Sequence, residues 1–214
     1  MQAPAQNKTG KKLQGTLFQN PVLNNLTKSS PQLILSMYIP LILFMLGYDY
    51  LRNGQPLSVV LGLFGAGVFT WTLAEYFLHK YFFHFVNETP WVQRMHFLVH
   101  GYHHEYPRDK EHLFMPPIPS LVLAGSFFGL FYLILRGYAV SFFPGFVAGY
   151  LAYALMHYSM HTVTNPPKFL RPLWRHHQMH HHKHSNKAFG VSSPLWDYVF
   201  GTVPREDANA AQAK

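Results

Sequence analysis

Fifteen of the 214 residues are histidine, all between His79 and His184. A purification tag would be contiguous and terminal; these are neither. Ten of them fall into four spaced groups. They are HKYFFH from His79 to His84, HGYHH with His100, His103 and His104, HYSMH with His157 and His161, and HQMHH with His177, His180 and His181. On a helix, residues at i, i+3 and i+4 share a face. HxxHH therefore projects three imidazoles to one side, and HxxxH projects two. His79 and His84 are five apart, about 140° out of line on a regular helix, so they require a helix end, a distortion or two different metals. Imidazole is the commonest metal ligand and suits zinc, copper, iron and nickel. About four to six donors saturate a transition metal, so ten predict two metal ions with about five donors each. Without metals, so many packed imidazoles would be costly to bury once any of them protonated.

His96, His112, His176, His182 and His184 stand outside the four groups and are expected to be surface or supporting polar residues. Glu75, Glu105, Asp109 and Asp197 are candidates to orient ligand rings, as carboxylates often do for metal-bound histidines. For Glu105 and Asp109 an ordinary solvated role is an equal alternative.

The elements that must carry these groups are apolar. Ser29 to Tyr48, Asn53 to Ala74, Leu113 to Leu135 and Gly137 to Met156 contain no Asp, Glu, Lys or Arg. Each has the roughly 17–25 residues a helix needs to cross a bilayer. They pair into two hairpins through short turns near Asp49–Gly54 and Arg136–Gly137. The expected fold is all-α and integral to the membrane: four spans in two hairpins under a helical cap that carries the histidines. Residues 1–30 read as a polar arm with Lys8, Lys11, Lys12 and Lys28, residues 31–203 as the main domain, and residues 204–214 as a tail. Positive charge concentrates in the arm, in the segment from Lys80 to His112, and in the segment after Pro167. The two short turns hold only Arg52 and Arg136. By the positive-inside rule both termini and all the histidines are cytoplasmic.

Composition narrows the function classes. With no cysteine, disulfides, thiolate ligands and a cysteine nucleophile are excluded. Charged residues are 12% of the chain, about half the usual share of a soluble domain. The net charge of +8 comes from 17 scattered Lys and Arg, which fits anionic lipid headgroups better than nucleic acid. A metal transporter would place ionisable ligands near the bilayer midplane, and these spans have none there. A zinc hydrolase needs about three protein ligands and an open water position, far fewer than ten.

Three stretches resemble the membrane fatty acid hydroxylase superfamily, and within it the fatty acid 2-hydroxylases. EYFLHKYFFH from Glu75 to His84 is similar to that family's EYxxHRFLFH. HFLVHGYHHEYPRDKEHLFMPP from His96 to Pro117 carries its GxHHxxPxD core and closing MPP. HHQMHHHKHSNKAFGVSSPLWDYVFGT from His176 to Thr202 is close to its tail. The resemblance covers about residues 30–203. It implies that the ten grouped histidines ligate two metals, that two irons activate dioxygen, and that one oxygen atom enters carbon 2 of a fatty acyl chain, free or amide-linked as in ceramide. Zinc could occupy such a site in a purified sample. Family members often carry YDxxH before the third group; here Tyr153 is followed by Ala154, which leaves the head group open, and Tyr153 itself is the candidate substrate contact. Many eukaryotic relatives carry a fused haem domain. The arm is too short for one, so electrons are expected from a separate reductase or carrier. The membrane is expected to be the bacterial inner membrane or the endoplasmic reticulum. Phe82, Phe83, Phe85, Trp91 and Phe97 are expected as interfacial anchors or core rather than as walls of an acyl path. Acyl desaturation and sterol or carotenoid hydroxylation are the related alternatives.

Overall fold

The computed structural model describes residues 17–204. The arm up to residue 16 and the tail from residue 205 lie outside the described residues. Among the described residues every regular element is helical.

Four helices dominate: α2 (Pro31–Leu51), α3 (Leu57–Phe77), α6 (Pro117–Leu135) and α7 (Ala139–Thr162). Their starts follow local chemistry. Ser30 accepts a hydrogen bond from Leu33 N at 3.2 Å, and Pro31 supplies a fixed first-turn φ. Pro116 and Pro117 set the same geometry for α6. Three stretches are long and apolar enough to cross a membrane: Pro31–Leu51, Leu57–Phe83 and Lys110–Thr162. The last has 53 residues, about 80 Å as a straight helix against a hydrocarbon core of about 30 Å. It does not run straight. Arg136, at φ 55°, reverses the chain, and α6 returns against α7 through Phe127–Phe146 and Phe131–Phe142 ring contacts at 4.9 Å. The outer face of α6 leaves Ile118, Val122, Leu133 and Ile134 exposed, apolar surface that a bilayer would cover.

Helix α7 is the hub. It runs antiparallel to α2, with Tyr38 against Tyr150 at one end and Asp49 accepting from Ser141 at the other. It runs parallel to α3, and the two backbones nearly touch. A Cβ built on Gly145 would lie 1.9 Å from Phe64 O, and one on Gly67 would lie 2.1 Å from Phe142 O. Glycine at these positions is required by sterics, as where membrane helices cross closely. Because α3 and α7 are parallel, their C-terminal ends emerge on one side, carrying His79 and His157 with them.

Two of the long helices outrun their apolar sequence. The stretch expected to end at Ala74 continues through Phe77 into a π-helical segment, Leu78–Phe83, and α7 continues past Met156 to Thr162. Both extensions carry histidines. Short helices complete that side: α1 (Pro21–Leu26), α4 (Pro90–His96) followed by π-helical Phe97–Gly101, α5 (Tyr102–Glu105), α8 (Arg171–His182) and α9 (Leu195–Val199). From Leu17 onward the arm is ordered against this side: Arg94 donates to Leu17 O at 2.7 Å and Lys28 pairs with Glu111 at 2.9 Å.

Candidate metal centre

The ten grouped histidines come together as two sets of five. One set is His79, His84, His100, His104 and His180; the other is His103, His157, His161, His177 and His181. Within each set one nitrogen per ring lies within 4.8 Å of all the others. Each HxxHH group is divided between the sets. His100 and His104 go to the first and His103 to the second; His177 and His181 go to the second and His180 to the first. The i,i+4 pair stays together because its members stack on one face, while the i+3 ring turns toward the neighbouring set. Expecting all three rings on one side was too coarse. The HxxxxH pair is reconciled by distortion. In the π-helical segment His84 N–H bonds His79 O at 3.2 Å, and the wider turn brings i and i+5 to the same set.

Nitrogen separations fit shared coordination. His79 Nε2–His100 Nε2 is 3.2 Å, His84 Nε2–His180 Nε2 3.0 Å and His100 Nε2–His104 Nε2 2.9 Å. In the second set His103 Nε2–His181 Nε2 is 3.0 Å and His161 Nε2–His177 Nε2 2.8 Å. A metal–nitrogen bond of about 2.0–2.1 Å gives neighbouring donors about 2.9 Å apart at a right angle. His157 Nε2 is buried with no hydrogen-bond partner, a lone pair lacking the acceptor's usual satisfaction. Protonation is suppressed. Burial first, and then neighbouring imidazoles, hold His84 and His104 down to about 3. Burial likewise holds His180 down to about 4 and keeps His100, His103 and His177 well below the ordinary value. Each set is thus a cage of neutral donors that could hold one metal ion.

Backbone carbonyls, rather than the expected carboxylates, orient three of the grouped rings: His79, His180 and, through Leu113, His157. His79 Nδ1 donates to Phe189 O at 2.6 Å and His180 Nδ1 to Lys187 O at 2.7 Å. A carbonyl only accepts, so each Nδ1 carries the proton and each Nε2 is free to bind metal. Glu75 and Asp197 act one step further out. Glu75 accepts from Val191 N at 2.6 Å, Ser192 N at 2.8 Å and the Ser192 hydroxyl. Asp197 accepts from Phe189 N at 2.9 Å and Gly190 N at 2.7 Å. Asp109 serves a different cluster, accepting from Tyr102 OH at 2.6 Å and His112 Nδ1 at 2.9 Å. Glu105 bonds the neighbouring Tyr106. A backbone carbonyl has no signature in sequence. The available hint was Gly190, where a Cβ would lie 2.1 Å from Ser193 O and 2.9 Å from Asp197 Oδ2.

None of the other five histidines belongs to either set. His176 Nε2 meets Asp197 at 3.1 Å, His112 bridges Asp109 and Thr27, and His182 meets Gln178 at 3.1 Å. His96 packs against Gly101.

A cavity of about 370 Å³ runs from the histidines between α2, α3, α6 and α7. His100, His103 and His157 line it, as do the apolar side chains of Phe127, Phe143 and Val147. Tyr153 lines it too, stacked on His157 at 5.8 Å and 6°. Phe83 is a cavity wall, whereas Phe82, Phe85 and Trp91 are 56%, 56% and 68% exposed, as interfacial anchors would be. The walls also include Trp71 and Tyr38, which no motif singled out.

Residues 64–202 match the family described as fatty acid hydroxylase. A ceramide very long chain fatty acid hydroxylase of Saccharomyces cerevisiae is 38% identical over 92% of this chain and 52% of its own length. The fatty acid 2-hydroxylase of Homo sapiens is 32% identical over 89% and 57%. A dihydroceramide fatty acyl 2-hydroxylase of Arabidopsis thaliana is 30% identical over 92% and 83%. The chain therefore spans about half the length of its yeast and human relatives. A solved structure of full-length scs7p, in which only the hydroxylase domain is visible, superposes with a TM-score of 0.82 at 36% identity, covering 87% of this chain and 71% of that one. With the family match spanning both histidine sets and the fold shared at this level, the chain belongs to the fatty acid hydroxylase family.

Proposed function

We propose that this chain is a lipid monooxygenase that inserts one oxygen atom at carbon 2 of a fatty acyl chain, free or amide-linked. The observation that carries the reading is the largely apolar cavity lined by His100, His103 and His157, rings drawn from both sets, together with Phe127, Phe143 and Val147. An acyl chain lying in it presents its polar end, and the carbons next to that end, to the histidines. The balance is R–CH2–CO–X + O2 + 2 e⁻ + 2 H⁺ → R–CHOH–CO–X + H2O. The names of the yeast, human and plant relatives support the same substrate class.

The ten histidines are read as the ligands of two metal ions, iron for catalysis and zinc in some purified samples. When bound, the metals supply dioxygen activation; the two electrons come from an external reductase or carrier. The protein's own residues do the rest. The buried rings stay neutral and hold their lone pairs inward. Phe189 and Lys187 carbonyls fix two of them. Phe127, Phe143 and Val147 hold the acyl chain and exclude water. Tyr153, beside His157, contacts the substrate near its polar end. In the membrane, α2, α3, α6 and α7 are four spans in two hairpins within a domain of residues 31–203. Both termini and the metal centre face the cytoplasm, in the bacterial inner membrane or the endoplasmic reticulum according to the cell.

Lipid mass spectrometry of cells with and without the chain tests the reaction. Acyl chains heavier by one oxygen, with the hydroxyl at carbon 2, are expected. Oxygen at another carbon, or loss of two hydrogens instead, would refute this assignment in favour of a sister oxidation.

A further inference from the structure

The two histidine sets have the same donors but different surroundings. In the first set, His79 and His180 are pinned through Nδ1 to the loop of residues 187–192. That loop is clamped from both sides: Asp197 takes the N–H groups of Phe189 and Gly190, and Glu75 takes those of Val191 and Ser192. Asp197 is itself fully buried and held by His176 at 3.1 Å and Thr202 Oγ1 at 2.7 Å. The Nδ1 atoms of His103, His177 and His181 in the second set are buried with no hydrogen-bond partner. Those three rings keep no such anchor; His157 of the same set bonds the Leu113 backbone, outside the 187–192 loop.

We propose that Asp197 and Glu75 are positioning residues for the first metal position alone, and that the two positions are inequivalent, the first held firmly and the second exchangeable. The inference rests on the reading of both sets as metal sites. The clamp fixes four consecutive N–H groups, 189–192, and so aims the Phe189 carbonyl at His79 and the Lys187 carbonyl at His180. Those carbonyls select the tautomer whose Nε2 is bare, a condition for binding. In Asp197→Asn, one acceptor oxygen becomes an NH2 group facing N–H donors, so the loop loses its register and two of five ligands lose theirs.

Elemental analysis and chelator release on the purified full-length chain test this. The unmodified chain is expected to hold two metals, released to a chelator in two phases at least tenfold apart. Asp197→Asn is expected to retain one metal. Adding His84→Ala to it should change nothing further, whereas adding His161→Ala should bring the content to zero. Thr202→Val, a milder change that removes one bond to Asp197, should speed only the slow phase, by several-fold. Loss of both metals or of neither in Asp197→Asn would overturn the proposal, as would equal acceleration of both phases in Thr202→Val. An unmodified chain that binds no metal would instead overturn the reading beneath it.

Discussion

The approach of α3 to α7 fixes the distance between the histidine-bearing helix ends, and Gly145 tests it with the smallest possible change. In Gly145→Ala the new methyl would start 1.9 Å from Phe64 O, 2.7 Å from Phe64 C and 2.9 Å from Phe64 Cα. All three atoms belong to backbone, so no rotamer change relieves them. Restoring an ordinary contact of about 3.4 Å parts the helices by roughly 1.5 Å, and overpacking of this kind costs about 1–3 kcal/mol. For a chain of this length that is a Tm lower by roughly 2–12 °C. The larger effect is at the site. Ligand distances in a metal site are held within about 0.2 Å, and the displacement is several times that. Gly145→Ala should therefore purify with substoichiometric metal and make little hydroxylated lipid. Gly125→Ala and Gly129→Ala on α6, where a Cβ meets nothing within 4 Å, are the controls and should be neutral. Tm by fluorescence in detergent, metal by elemental analysis and product by mass spectrometry read the three effects. A Gly145→Ala chain with full metal and an unchanged Tm would refute the claim that this contact sets the spacing of the site.

Further outcomes follow from the same geometry. Burial holds His84 and His104 down to about 3 and His180 down to about 4, against about 6.5 for a free imidazole. Metal content should thus be flat from pH 8 to pH 5 and fall only as pH drops through about 4; release centred near 6.5 would contradict the burial argument. For the metal-free chain, the folded values lie below the unfolded one, so the unfolded state gains protons first. Stability is then full above about 6.5 and declines as pH falls toward 4, by at most about 1.4 kcal/mol per pH unit for each such histidine, as a denaturant series would show. His103→Ala and His180→Ala should each lose metal and turnover, whereas His184→Ala should be mild; full activity in the first two would refute the ligand assignment. Tyr153→Phe should reduce product several-fold with metal content unchanged, and loss of metal in that variant would make Tyr153 part of the scaffold instead. In this cysteine-free chain, Arg52→Cys and Lys183→Cys should label with an impermeant maleimide from opposite faces of the membrane; labelling from one face would disprove the hairpin topology.

Much of this architecture was readable because two independent codes overlapped. Apolar runs marked the long helices, and imidazole spacing marked the site, without either depending on the other. The runs misplaced the helix ends, since hydropathy stops where the chain leaves apolar surroundings while hydrogen bonding continues: α7 reaches Thr162 and the α3 helix reaches Phe83 as a π-turn. Periodicity called for a helix end, a distortion or two metals at His79 and His84 without choosing among them. A regular helix puts His79 and His84 out of line, and one i→i+5 bond, His84 N to His79 O, reverses that conclusion.

What stayed hidden shares a cause. The carboxylates Glu75 and Asp197 were noticed as partners for ligand rings, yet they hold backbone N–H groups, and backbone carbonyls hold the rings. Such a relay leaves one trace at each end in the sequence, an acid and a glycine, with nothing to show that they meet. The buried carboxylate of Asp197 accounts for His176 as well, a histidine next to a grouped one that faces away from both sets. It also explains why His176 and His177, adjacent in sequence, serve different ends: successive helix residues diverge by about 100°, so one ring enters the cage while the other supports the loop that keeps the cage in shape.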